Sequence, residues 1–186
     1  MNTLINQLLL FDHLNQQQIS LINRLTKQVH LQKGEYLAEP GHTISFLAFV
    51  NSGVLRYNYY NREKENITTA LIGEGNFVSS SMPIYPPIIQ SYYLQAMTAC
   101  DLSIIERSGM EELSVTVSNW DNIALRAAQR ATEERQIRII PYVQDGDPDN
   151  AATNYLERFA NLGKHLKDEQ VLPYIMLHLD NIKDGK

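Results

Sequence analysis

The chain has 186 residues, of which 44% are hydrophobic, and its 16 Lys and Arg stand against 21 Asp and Glu for a formal charge of −5. That size and apolar share suit one domain, or one domain with a small appendage, with a proper core and no compositional sign of disorder. No apolar run is long enough to cross a bilayer, net acidity argues against a broad nucleic-acid face, and a single cysteine, Cys100, excludes an internal disulfide or a four-cysteine metal site from this chain alone.

The opening "MNTLINQLLLFDHL" lacks the basic start and small-residue cleavage site of a signal peptide and reads as an amphipathic helix, so the expected location is the cytoplasm. Residues 2–27 are predicted helical throughout: Leu4, Leu8, Phe11 and Leu14, then Ile19, Ile22 and Leu25, recur at helical spacing. From Val29 to about Ile105 the pattern changes to short runs, "FLAFV", "VLRYNYY", "NITTALI" and "YYLQAM", rich in aromatic and β-branched residues and punctuated by Gly, Asn and Pro. These predict an all-β unit closing as a sandwich or short barrel. Cys100, inside the apolar "MTACDLSII", reads as a small core residue.

A long helix is predicted over about Asn119–Ile140, closed by Pro141. Its stripe Trp120, Ile123, Ala127, Ala131, Glu134 and Ile137 follows heptad spacing, large residues giving way to small ones. Two readings are open: the stripe packs on the chain's own barrel, or it is the seam of a homodimer, which the change from large to small residues favours. "VQDGDPDN" is a linker, placed at 143–150, and "AATNYLERFANLGKHL" and "DEQVLPYIMLHLDNI" predict two short helices in an electrically neutral tail.

In this order the segments resemble the cyclic-nucleotide-binding domain of Crp/Fnr-type bacterial regulators. The residues that carry the resemblance are "KGEYLAEPGH", "FVNSGVLRYNYYN" and "GEGNF", with Gly34, Gly41, Gly53, Gly73 and Gly75 where that family turns between strands, and "LQAMTACDLSII" beyond them. It implies an α+β fold: N-terminal helices, a double-stranded β-helix of jelly-roll type, a long dimerisation helix, and a C-terminal remnant of a winged helix. On that reading residues 1–142 form the effector domain and 151–186 an incomplete helix-turn-helix.

The resemblance also locates the effector site. Cyclic-nucleotide-binding members hold the ribose with a Gly-Glu pair and the phosphate with an arginine followed by a hydroxyl or small residue. Here Ser79 and Ser80 occupy the Gly-Glu positions, Gln90 the arginine position, and Ser91 keeps the hydroxyl; from Gly75 to Cys100 there are 26 positions without a charge. Losing a charge-assisted contact to a buried phosphate costs roughly 2–5 kcal/mol, and the missing ribose acceptor about 1–3 kcal/mol more. Cyclic AMP is therefore not expected to bind in the usual pose.

Two other sources of recognition remain. One is Arg130 or Arg135 of the long helix reaching an anionic effector, although both also read as solvated partners of Glu133 and Glu134. The other is a ligand of little charge among Ser79, Ser80, Ser81, Gln90, Ser91, Tyr92 and Tyr93, a lining that a ligand-free barrel would share. No cofactor is implied beyond a small-molecule effector other than cyclic AMP.

In the family, a recognition helix should follow a turn after Leu179 or Asp180; only "NIKDGK" remains, so DNA binding by this chain as it stands is doubtful. Either the protein acts through protein contacts or its reading frame ends early. Catalysis is not expected: the five histidines are scattered, and there is no P-loop or nucleophile elbow. The expected function is a Crp/Fnr-type sensor and regulator, with a ligand-free dimeric interaction module as the alternative.

Overall fold

The computed structural model describes residues 3–41, 46–79, 92–137 and 148–183, and for 79, 132–137, 148–149 and 177–183 the backbone alone. Two helices come first, α1 (Thr3–Leu8) and α2 (Gln16–Leu25). The single helix expected over 2–27 is thus two. Asn15 restarts the helix with a capping box: its side chain accepts from the Gln18 amide at 2.9 Å while Gln18 accepts from the Asn15 amide at 2.8 Å. The chain then enters β1 at Thr26 rather than at Val29.

Eight strands follow among the described residues: β1 (Thr26–Leu31), β2 (Tyr36–Ala38), β3 (Phe46–Ser52), β4 (Val54–Tyr60), β5 (Asn66–Gly73), β6 (Phe77–Ser79), β7 (Tyr93–Ala96) and β8 (Cys100–Glu106). They form two antiparallel sheets, ordered β1-β8-β3-β6 and β2-β7-β4-β5. Between the sheets lies an apolar interior of Ala48, Val50, Leu55, Leu94, Leu102 and their neighbours, with Cys100 in it as expected. This is a jelly-roll arrangement of the cyclic-nucleotide-binding type.

The unbroken run "FLAFV" of β3 is explained by burial on both faces. Phe46, Ala48 and Val50 face the interior, and Leu47 and Phe49 face a second cluster outside the sheet. That outer cluster is built by α1, α2, α3 (Arg107–Thr116) and α4 (Trp120–Ile137). The heptad-like stripe of α4 belongs to it: Trp120 is 1% exposed, Ile123 and Ala127 0%, and Ala131 7% within the single chain. These four residues are therefore no dimer seam. The alanines admit α1 and the sheet, not a second α4; the side chains of Glu134 and Ile137 and the closing Pro141 lie outside what is described.

Three further helices, α5 (Pro148–Arg158), α6 (Ala160–Gly163) and α7 (Asp168–Lys183), follow. The helix begins at Pro148, inside the stretch read as linker, because proline at a first helical position gives up only an N–H that would be unpaired there anyway. The turn expected after Leu179 or Asp180 is absent, since α7 continues to Lys183. These helices do not hang free. Ala151, Ala152, Tyr155, Leu162 and Val171 share a third apolar cluster with Val54, Leu71 and Met97, on the outer face of the second sheet.

Two glycines are demanded by this packing. At Gly53, φ is +87° and an added Cβ would stand 2.2 Å from the Ala99 carbonyl, where the chain passes from one sheet to the other. Gly73 has ordinary backbone, and a Cβ there would meet Leu162 Cδ2 at 2.8 Å and Asn161 Nδ2 at 3.0 Å. It makes room for α6. Gly53→Ala should therefore lower global stability by about 2–4 kcal/mol in urea denaturation. Ala127→Leu should cost about 1–3 kcal/mol at every protein concentration; a loss that vanishes at high concentration would restore the dimer seam.

Candidate functional site

Residues 80–91, which include Ser80, Gln90 and Ser91, lie outside the described residues. The chain leaves the first sheet at Ser79, on β6 beside β3, and enters the second at Tyr93, on β7 beside β4. Along β4, Tyr57 and Tyr59 alternate with Arg56, Asn58 and Tyr60, and Tyr57 belongs to the interior cluster. Tyr92, 46% exposed, sets its ring edge-on to Tyr59, with centroids 6.0 Å apart. Tyr93 points the other way, with its ring 5.2 Å from that of Tyr36 on the outer face.

The arginines of α4 are tied to the N-terminal helices. Arg126 donates to the Phe11 carbonyl at 2.8 Å, and Arg130 to Gln7 Oε1 at 3.0 Å. The Arg135 side chain lies outside what is described.

The turn between β5 and β6 feeds directly into this segment and carries an element the sequence reading passed over. Gly75 donates to the Val50 carbonyl at 2.8 Å, and the buried Asn76 donates from Nδ2 to the Gly73 carbonyl at 3.1 Å, which fixes the turn against β3. Glu74 projects to the C-terminal helices. Its carboxylate accepts from Lys164 Nζ and faces His165 Nε2 at 3.5 Å, and its backbone carbonyl accepts from Asn161 Nδ2 at 3.0 Å. Lys164 first, and then His165, hold the Glu74 carboxyl below the ordinary glutamate range, against partial desolvation that acts the other way. In the sequence, Glu74 is the last charge before the neutral run. A lone acid between two glycines, with a Gly-Lys-His triplet far downstream, was the available signal, but nothing in the spacing pairs them.

Elsewhere among the described residues the titratable groups make no reactive constellation. Asp101 accepts from Ser52 Oγ at 2.9 Å and bonds His30 Nδ1 at 2.8 Å, so serine and histidine share the carboxylate and the imidazole does not touch the hydroxyl. Among the described residues no three His, Cys, Asp or Glu side chains converge as metal ligands. Burial raises the Cys100 thiol, whose Sγ donates to the Val54 carbonyl at 3.4 Å.

No family model matches the chain, and no curated protein matches it. Solved structures do. A Crp/Fnr-family transcriptional regulator described as putative, from Eubacterium rectale, is 17% identical with a TM-score of 0.62 over 87% of this chain and 77% of that one. A cyclic nucleotide-binding domain from Methylobacillus flagellatus is 16% identical, with a TM-score of 0.58 over 70% and 75%. The C-linker/CNBHD of zELK channels, crystallised in the presence of cAMP, is 24% identical with a TM-score of 0.58 over 71% and 66%. The chain has the fold common to Crp/Fnr-type regulators and cyclic nucleotide-binding domains. The first of these matches covers more of the chain than residues 1–142 can supply, so the likeness reaches the C-terminal helices.

The Glu74 contact has a defined pH signature. A carboxyl whose folded pKa is depressed contributes stability that is fully present above its unfolded value and fades as pH falls through the folded one. Docking of α5–α7 should accordingly hold at neutral pH and weaken below the ordinary glutamate range. Glu74→Gln should loosen it at neutral pH and remove that pH dependence, read as faster amide exchange of residues 148–176 with the barrel unchanged.

Proposed function

We propose that this chain is a signal-sensing regulator of the Crp/Fnr type, acting in the cytoplasm, in which occupancy of the 80–91 segment changes how α5–α7 sit on the barrel. The observation that carries this reading is the turn at Glu74. It joins β5 to β6, leads into the effector segment within a few residues, and is the polar anchor of the C-terminal helices. A ligand that shifts β6 moves this anchor as well, and so biases the docked state. Among the described residues no helix is long and apolar enough to cross a membrane.

The effector in this proposal is a small molecule other than cyclic AMP, contacted by Ser79, Ser80, Gln90, Ser91 and Tyr92, with Arg130 or Arg135 as the nearest basic candidates. A homodimer through α4 would use the face opposite the buried stripe, where Leu125 is 42% exposed beside Asp121, Asn122 and Arg126. A second reading, a ligand-free interaction module, is favoured by the dense apolar filling between the sheets.

Thermal-shift screening with cyclic nucleotides and small metabolites separates the two. The sensor reading expects a shift from some compound that Ser80→Ala or Gln90→Ala abolishes; silence across the library leaves the module. For cyclic AMP itself, the double variant Ser80→Glu, Gln90→Arg should bind at least about 100-fold more tightly than the wild type. Micromolar calorimetric binding of cyclic AMP by the unmodified chain would sink the electrostatic argument.

A further inference from the structure

On the outer face of the second sheet stands a charge that has no counter-charge among the described residues. Arg56, on β4, is half-buried, and its guanidinium donates to neutral acceptors only: Nε and Nη2 to Gln95 Oε1 at 3.0 and 2.6 Å, and Nη1 to Thr68 Oγ1 at 3.0 Å. Among the described residues no carboxylate lies within ion-pair distance of it. The Gln95 and Thr68 contacts reach across β4 to both neighbouring strands and orient the fork, but they do not neutralise it. A guanidinium removed from water in this way is stabilised by an anion.

Two residues further along the same face is Asn58, opposite Thr68 on β5 and Tyr93 on β7. It is 0% exposed, and neither its Nδ2 nor its Oδ1 has a hydrogen-bond partner among the described residues. A buried amide left wholly unpaired costs about 1–3 kcal/mol and is rare. Three tyrosines close this end of the face: the Tyr93 ring lies 5.2 Å from that of Tyr36 and 5.6 Å from that of Tyr60. The Tyr36 and Tyr60 hydroxyls lie near each other and close enough to Arg56 for their charges to interact. Desolvation of the guanidinium pulls its pKa down, as expected of a cation lacking its partner.

We propose that Arg56, with Asn58 and the tyrosine hydroxyls beside it, binds a small oxyanion, a phosphate or carboxylate group of a metabolite, at a site on the outside of the barrel and separate from the 80–91 segment. The planar fork, preset by Gln95 and Thr68, presents its remaining N–H groups to two oxygens, and Asn58, whose amide has no partner among the described residues and no exposed surface, supplies a donor once the neighbouring tyrosine rings part, those rings then flanking the body that carries the anion. Val54, two positions before Arg56 on this face, lies under the C-terminal helices, so the site borders their footprint.

The test is calorimetry of the full chain with sodium phosphate and, separately, sodium acetate in a buffer of matched chloride. One saturable site is expected for at least one of them, phosphate alone pointing to a phosphorylated ligand and acetate alone to a carboxylate. Arg56→Gln should weaken it roughly tenfold or more, whereas Arg24→Gln, which alters an exposed pair with Glu112, should leave it unchanged. Since Arg56 also ties three strands together, Asn58→Leu provides a second variant. It should weaken anion binding while leaving the thermal midpoint of the free protein equal or higher, because an unpaired amide has been removed. Non-saturating heats with both salts, or the same affinity in the wild type and both variants, would overturn the proposal.

Discussion

Burial of the first sheet on both faces constrains everything else in this fold. Leu47 and Phe49 of β3, Phe77 of β6 and Ile105 of β8 are covered by α1–α4, while the alternate residues of the same strands fill the interior. Each such side chain contributes on the order of 1.5–3 kcal/mol on leaving water, so the helical layer cannot lift without exposing a large part of the core. The long helix α4 is therefore committed to its own chain. On the proposed sensor reading, movement that carries a signal belongs to the other sheet.

That second sheet divides its outer face along the length of its strands. At one end Val54, Leu71 and Met97 meet the apolar side of α5–α7. Further along, the same face turns polar, with Arg56, Gln95 and Thr68 in mutual hydrogen bonds and a tyrosine cluster beyond. The barrel thus offers its C-terminal helices a small apolar footing, supplemented by the contacts around Glu74 and by the space that Gly73 leaves for Leu162. On the proposed sensor reading, a ligand shifts these helices only by as much as its affinities for their two placements differ.

The parts legible in the sequence were those governed by local periodicity. The β4 and β5 runs, the long helix and the α7 pattern are set by side-chain alternation and spacing, and they stand where those signals put them. The break between α1 and α2 was also written locally, in the Asn15–Gln18 pair, but the apolar spacing that continues across it masked the cap. The fate of the α4 stripe was not local. Trp120, Ile123 and Ala127 have the same pattern whether they face another helix of the same chain or a second chain, and only the positions of α1 and β6 decide between them. Glu74 with Lys164, and Arg56 with Gln95, belong to the same class: each depends on elements brought together over long sequence separations, which composition cannot register.

On the proposed sensor reading, electrostatics would link an effector at the 80–91 segment to the docked helices with a definite sign. Glu74 is the last charge before 26 uncharged positions, and its cationic partners, Lys164 and any proton on His165, come from the C-terminal helices. When those helices are docked the carboxylate is paired; when they leave, a bare negative charge stands at the start of the segment. An anionic effector is then repelled more by the undocked state than by the docked one, and by linkage it strengthens docking. A cationic effector would do the reverse, and a neutral one would have to act through shape alone. The charge of the effector therefore determines the direction of the switch, and the sequence around the segment, stripped of its own cations, leaves that choice to the ligand.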